Sequence, residues 1–122
     1  GYDDTLQHVL RAFVSYWATQ ADLGFSEQAR SKIFPPIQKI IEKSNTQPFD
    51  IAGVFWVIEK YKYSEYIPLI KNHLTQIIDH PKLHFWKIHD AIDLMLKLDP
   101  EFVHNLLNEK GKTLEDFKIS SL

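Results

Sequence analysis

Residues 91–107 read AIDLMLKLDPEFVHNLL, and the fold turns on what happens in the middle of that stretch. An apolar helical pattern runs into Asp99-Pro100, and a second apolar pattern begins at once and continues to Leu107. Asp99 is suited to cap the second helix, because its carboxylate can accept from amide N–H groups that have no intrahelical partner. Pro100 fits the first helical position, where its missing N–H costs nothing. With the second helix closing near Lys110-Gly111, the stretch is helix, tight capped turn, helix, and it contains no catalytic residue type.

The same layout occurs once more. VFWVIEKYKYSEYIPLIKNHL (54–74) and IHDAIDLMLKLDPEFVHNLL (88–107) both read as an apolar helix, a short turn and a second helix, and their turn residues Ser64 and Asp99 lie 35 positions apart. Ser64 is expected to cap the helix that carries Pro68 in its first turn and Ile67, Ile70, Leu74, Ile77 and Ile78 on its buried face, with His80-Pro81 ending it. Both segments resemble HEAT-type repeats, the matching pieces being DPEFVHNLL and SEYIPLI. The resemblance covers about Asp50 to Lys110. It implies antiparallel helix pairs stacked as a short α-solenoid, each pair burying its stripe against its neighbours and leaving a broad, gently curved surface that binds macromolecules. An irregular helical bundle is the alternative.

Residues 1–48 depart from the repeat and read as N-terminal helices or a cap. Leu6, Val9, Leu10, Phe13, Val14 and Trp17 fall on one face of a helix from about Asp4 to Ala21. Ser26 is placed to cap a segment reaching about Lys43, and Pro35-Pro36 should split that segment into two short helices or kink it sharply. Asp50 should cap a helix running to about Tyr63, with Phe49 and Val54 forming a hydrophobic staple. Gly53 inside that helix costs ~1 kcal/mol relative to alanine, which suggests a close neighbouring helix unless it is simply tolerated. Residues 49–111 then hold the two helix pairs, and 112–122 a C-terminal turn. No window shows strand alternation with turn signals, so the expectation is a single all-α domain.

Composition narrows the chemistry. The 122 residues include no cysteine, which excludes thiolate metal sites, redox pairs and a disulfide scaffold and is consistent with a cytoplasmic home. The longest apolar run, Val54 to Ile58, is far short of the ~20 residues of a membrane span, and residues 1–20 lack a signal-peptide pattern. The charge of −2 is evenly spread: residues 1–30 carry four acids and two bases, 31–80 five and six, 81–122 seven and six. Nucleic acid requires bases aligned along a groove, and Lys60, Lys62, Lys71, Lys82 and Lys87 each have acids close by in sequence. His80, His84 and His89 lie within ten residues of each other, but His80 precedes a proline, and a five-residue spacing puts His84 and His89 some 140° apart on a helix. Surface or capping roles are expected for them, with no metal and no cofactor. There is no phosphate-binding glycine loop, no nucleophile elbow, and no partner group for carboxylates such as Asp90 and Asp93, so no enzymatic activity or small-molecule substrate is expected.

The aromatics carry the functional expectation. On the helix from Ile51 to Tyr63, a core stripe of Ile51, Val54, Phe55, Ile58 and Tyr61 leaves Trp56, Glu59 and Tyr63 opposite; on the helix from Leu83 to Leu98, Trp86, Asp90, Asp93 and Lys97 lie opposite Phe85, Ile88, Ile92, Met95 and Leu96. Tryptophan and tyrosine beside carboxylates have the composition of a protein-binding hot spot for a basic partner. The competing reading buries both tryptophans between repeats. The chain is also similar to the immunity proteins that bacteria carry against polymorphic or contact-dependent toxins, being short, cysteine-free and rich in isoleucine and lysine. That likeness implies a cytoplasmic inhibitor that occludes the active site of a toxin, for instance a nuclease. A nucleic-acid-binding helical repeat and a scaffold or adaptor are the alternatives.

Overall fold

The computed structural model describes residues 4–24, 26–47 and 50–120, and among these the chain is all-α: six helices and no strand. They are α1 (Asp4–Asp22), α2 (Glu27–Lys43), α3 (Ala52–Tyr61), α4 (Ile67–Ile77), α5 (Pro81–Leu98) and α6 (Pro100–Lys110), with single 3₁₀ turns at Ser64–Tyr66 and Glu115–Phe117. No helix among the described residues is long and apolar enough to cross a membrane.

Capping chemistry sets most of the boundaries. Ser26 Oγ accepts from the Ala29 N–H at 3.1 Å and opens α2. Asp99 Oδ1 accepts from Phe102 N–H at 3.3 Å, Pro100 takes the first helical position, and Gly111 closes α6 in the left-handed region at φ 65°. Asp50, expected to cap α3, instead stands one residue before its N-cap Ile51, which has no side-chain cap bond; Asp50 Oδ1 accepts from Ala52 N–H at 2.8 Å. The expected Phe49–Val54 staple lies outside the described residues.

Four features of the helical frame differ from the sequence reading. Helix α2 runs unbroken through Pro35 and Pro36. Both prolines, and the Ser31 and Lys32 residues whose carbonyls lose their partners, lie on the exposed side, where water replaces the missing bonds. Ser64 does not cap an α-helix; it begins the 3₁₀ turn, and neither that turn nor α4 has a side-chain cap. Helix α3 stops at Tyr61 because Lys62 adopts the left-handed conformation (φ 54°, ψ 51°). Tyr63 therefore leaves the helical register. Helix α5 starts at Pro81 and is interrupted at His84, whose φ of −121° and ψ of 21° are not helical.

Packing follows a simple order. Helices α1, α3 and α5 lie side by side, α3 touching both others, and run in the same direction: Gln7 meets Asp50, Val14 meets Gly53 and Tyr61 reaches Asp22, while further along Glu59 meets Lys97. Opposite them α2 packs on α4, with Arg30 bonded to Glu65 and Asn45 to His73, and α5 packs against α4 and α6. Between the rows sit Ile37, Ile41, Ile58, Ile70, Leu74, Ile77, Ile88, Ile92, Met95 and Val103, all essentially inaccessible. Each such side chain stabilises the fold by about 1.5–3 kcal/mol relative to remaining exposed. At Gly53 an added Cβ would stand 3.2 Å from Val14 Cγ1, so α1 does approach α3 closely there. Val9, expected on the core face of α1, points outward instead.

Candidate functional site

The α3 sequence is apolar at Val54, Phe55, Val57 and Ile58, all buried, which leaves Trp56, Glu59 and Lys60 as its solvent-facing side chains beyond the first turn. Trp56 is 50% exposed, and the Lys60 ammonium lies 4.9 Å from its ring centroid. On the parallel neighbour α5, burial of Ile88, Ala91, Ile92, Leu94 and Met95 turns Trp86, Asp90, Asp93 and Lys97 outward. Trp86 is 62% exposed, its ring edge-on to Phe85 and to His89.

Because the two helices run side by side, these positions converge. Trp56, Glu59, Asp90 and Asp93 line one shallow cleft of about 160 Å³ floored by Phe55 and Leu94. Lys97 bridges its far end, bonding to Glu59 at 2.9 Å and approaching Asp93 at 3.8 Å. Desolvation raises the Asp90 carboxyl above its ordinary range; the charges of Asp50 and Asp93 add to this, and His89 opposes it. Three carboxylates against Lys97 and, over Trp56, Lys60 leave the cleft with an excess of negative charge, so a cation beside Asp90 would be stabilised. Leu83, 52% exposed, lies on the other side of the interruption at His84, so its direction does not follow from helical spacing to Trp86.

Four of the six expected binding residues, Trp56, Glu59, Asp90 and Asp93, thus line one cleft, and a fifth, Trp86, is exposed one turn before Asp90 on α5, outside the cleft lining. The sixth is not at the surface. Tyr63 is buried, stacked on Trp17 at 5.7 Å and on Tyr61 at 6.0 Å, with the Arg30 guanidinium 4.1 Å from its ring. Outside the α3 register, it belongs to an aromatic cluster with Trp17, Tyr66 and Phe34 that joins α1 and α2 to the next helix pair. The larger hollow beside α2 is lined by Arg30 and Glu65, which neutralise each other through a bidentate pair at 2.5 Å. Burial alone would raise the Glu65 carboxyl, but the Arg30 contact holds it below its ordinary range.

A second polar group is internal. Lys87, read from sequence as a solvated lysine, is 7% exposed, and its ammonium donates to Ser44 O, to Ser44 Oγ at 2.8 Å and to Gln47 O at 2.6 Å. His73 Nδ1 meets Asn45 Oδ1 at 2.6 Å, and His84, expected at the surface, is buried beside them. Desolvation, reinforced by the Lys87 charge, pushes His73 down to about 3 and lowers His84 too; desolvation brings Lys87 down to about 8, opposed by Asp50. Of the other histidines of interest, His80 precedes α5 and His89 Nδ1 contacts Phe117 O at 2.7 Å. Among the described residues no group of three or more His, Cys, Asp or Glu side chains is placed to hold a metal ion. Of the lysines weighed for nucleic acid, Lys71 pairs with Asp99 at 2.7 Å, Lys60 sits over Trp56, Lys87 is inside, and Lys62 and Lys82 are exposed.

Compared with known proteins, the chain matches no family model, no curated protein and no solved structure.

Proposed function

We propose that this chain is a short HEAT-like α-solenoid that binds another protein, and that the partner presents a basic surface to the cleft between α3 and α5. One observation carries the reading: the half-exposed Trp56 lines a cleft whose walls are Glu59, Asp90 and Asp93, and a second exposed tryptophan, Trp86, stands one helical turn before Asp90 on α5. A large exposed aromatic beside a cleft that holds the desolvated Asp90 carboxylate has the composition of an interface anchor. The carboxylates would speed encounter with a basic partner, while Trp56 and Trp86, once covered, would set the lifetime of the complex.

The partner class that fits is a toxin domain, and this chain its immunity protein. A protein without a catalytic constellation inhibits by coverage, and a nuclease, whose active-site surroundings are basic to hold phosphates, complements an acidic cleft. Co-expression with the product of the adjacent gene tests this directly: immunity predicts that the neighbour kills alone and is harmless beside this chain. A neighbour without toxicity would remove the immunity reading while leaving protein binding open. For the surface itself, Trp56→Ala and Trp86→Ala should each weaken binding by ~2 kcal/mol with the thermal midpoint unchanged. Unaltered affinity in both variants would place the interface elsewhere. Binding to mixed-sequence DNA that falls steeply with salt would transfer the function to nucleic acid.

A further inference from the structure

The connection from α2 to α3 is gripped by basic side chains that face it from inside the fold. Lys87 donates to Ser44 O, to Ser44 Oγ at 2.8 Å and to Gln47 O at 2.6 Å. His73 Nδ1 meets Asn45 Oδ1 at 2.6 Å, and the His84 ring meets the Asn45 backbone. Ser44, His73, His84 and Lys87 are each more than nine-tenths buried. The segment's own bonds are short-range: Ser44 N–H donates to Ile40 O, Asn45 N–H to Glu42 O and Thr46 N–H to Lys43 O.

Each imidazole has one nitrogen unused. Asn45 Oδ1 can only accept, so His73 Nδ1 carries the ring proton and Nε2 a lone pair. His73 Nε2 and His84 Nδ1 are enclosed and have no hydrogen-bond partner among the described residues. A proton arriving there would charge a ring that has no acceptor to offer it. The surroundings oppose that charge: Lys87 acts on both rings and His80 on His84, all of like sign, and from α3 the uncharged Phe55 ring lies edge-on to His73 at 6.1 Å. Asp50, at the start of α3, acts on Lys87.

We propose that residues 44–47 form an acid-released latch: protonation of His73 and His84 beside the Lys87 ammonium lifts this segment off α4 and α5 while the helices stay packed. Three cations enclosed together lack compensation, and lifting the segment gives each of them water. The release is bounded at both ends. Ile37 and Ile41 hold α2 in the core, and Gln7 of α1 bonds Asp50 twice, accepting from its N–H at 3.0 Å and donating to its carbonyl at 3.1 Å. The sign follows from where protons bind. The closed fold keeps His73 neutral down to about 3, whereas a ring freed by opening takes its proton near 6.5, so acid favours the open form. Between pH 7 and pH 5 His73 alone raises the open-to-closed ratio ~25-fold, and His84, also lowered in the fold, adds in the same direction.

Native-state hydrogen exchange at pH 7 and pH 5 in graded low urea separates release of the latch from unfolding, because a local opening exposes little new surface and responds little to urea. After correction for intrinsic exchange rates, the Ser44 and Asn45 amides should lose at least ~25-fold in protection between the two pH values, without urea dependence at pH 5. The Leu74 and Met95 amides, deep in α4 and α5, should exchange only with the steep urea dependence of whole-chain unfolding. His73→Gln keeps a donor for Asn45 and removes the titration, and should cut the pH response of the Ser44 and Asn45 amides by at least ~5-fold. The proposal is overturned if Ser44 and Asn45 follow the urea slope of Leu74 and Met95 at pH 5, since acid then acts on the whole fold. It is equally overturned if their protection is the same at both pH values, or if His73→Gln responds to acid undiminished. Where His73→Gln does not fold, the unaltered chain decides: a His73 ring that titrates near 6.5 by NMR while the Ser44 and Asn45 amides stay protected removes the latch.

Discussion

On α5, His84 and Lys87 turn inward while Trp86, Asp90 and Asp93, on neighbouring positions of the same helix, turn toward solvent. The inward ammonium is surrounded by Ser44 O, Ser44 Oγ and Gln47 O, which fasten the segment after α2 to α5. Of the outward carboxylates, Asp93 lies 3.8 Å from Lys97, which also bonds Glu59 of α3 at 2.9 Å. Polar groups that satisfy one another inside a protein specify the packing; polar groups of one sign left together at the surface are available to something else. The contrast separates architecture from interface within one helix.

Breaking the inward set should have the largest effect. Lys87→Ala removes a charged donor and leaves buried carbonyls without it, and is expected to lower the unfolding free energy by about 3 kcal/mol in urea titration. A loss under about 1 kcal/mol would mean that water replaces the ammonium and that the segment is less enclosed than it looks. Acid comes next. His73 takes a proton in the fold only near 3, against about 6.5 when unfolded, so the unfolded chain gains protons first; stability is complete above pH 6.5 and declines as the pH falls toward 3, by at most ~1.4 kcal/mol per unit. Between pH 7 and pH 5 the expected loss is about 2 kcal/mol, readable as a drop in thermal midpoint that His73→Gln reduces. Smallest is the effect of the outward set on the fold: Asp90→Asn and Asp93→Asn should each change stability by no more than ~0.5 kcal/mol while slowing association with a basic partner, most visibly at low salt. Unfolding by either substitution would return these carboxylates to the architecture.

Much of the helical frame was legible because it is written locally. Ser26, Asp99, Pro100 and Gly111 act within a few residues of themselves, and the boundaries they mark were readable from residue type alone. What was not legible depends on tertiary surroundings. Pro35-Pro36 break a helix only where the freed carbonyls cannot reach water, and exposure was unknown. Tyr63 was projected from the α3 wheel by counting seven residues from Trp56, a count that fails once Lys62 adopts a left-handed turn that favours glycine. Trp56, Glu59, Trp86, Asp90 and Asp93 were placed correctly on outward faces because both helices keep their register throughout that stretch. The meeting of Trp56, Glu59, Asp90 and Asp93 in one cleft depends on α3 packing beside α5, a tertiary contact that no local pattern states. Lys87 and His84 were misread because the segment that covers them, residues 44–47, is about forty positions away in sequence.

At Gly53 the first helix rests against a hydrogen atom where any other residue would offer a methyl group, with Val14 only 3.2 Å from the place that methyl would occupy. Alanine at 53 would press its methyl on the Val14 side chain, which would have to give by a few tenths of an ångström, so the seat of α1 on α3 leaves no slack for a single added carbon.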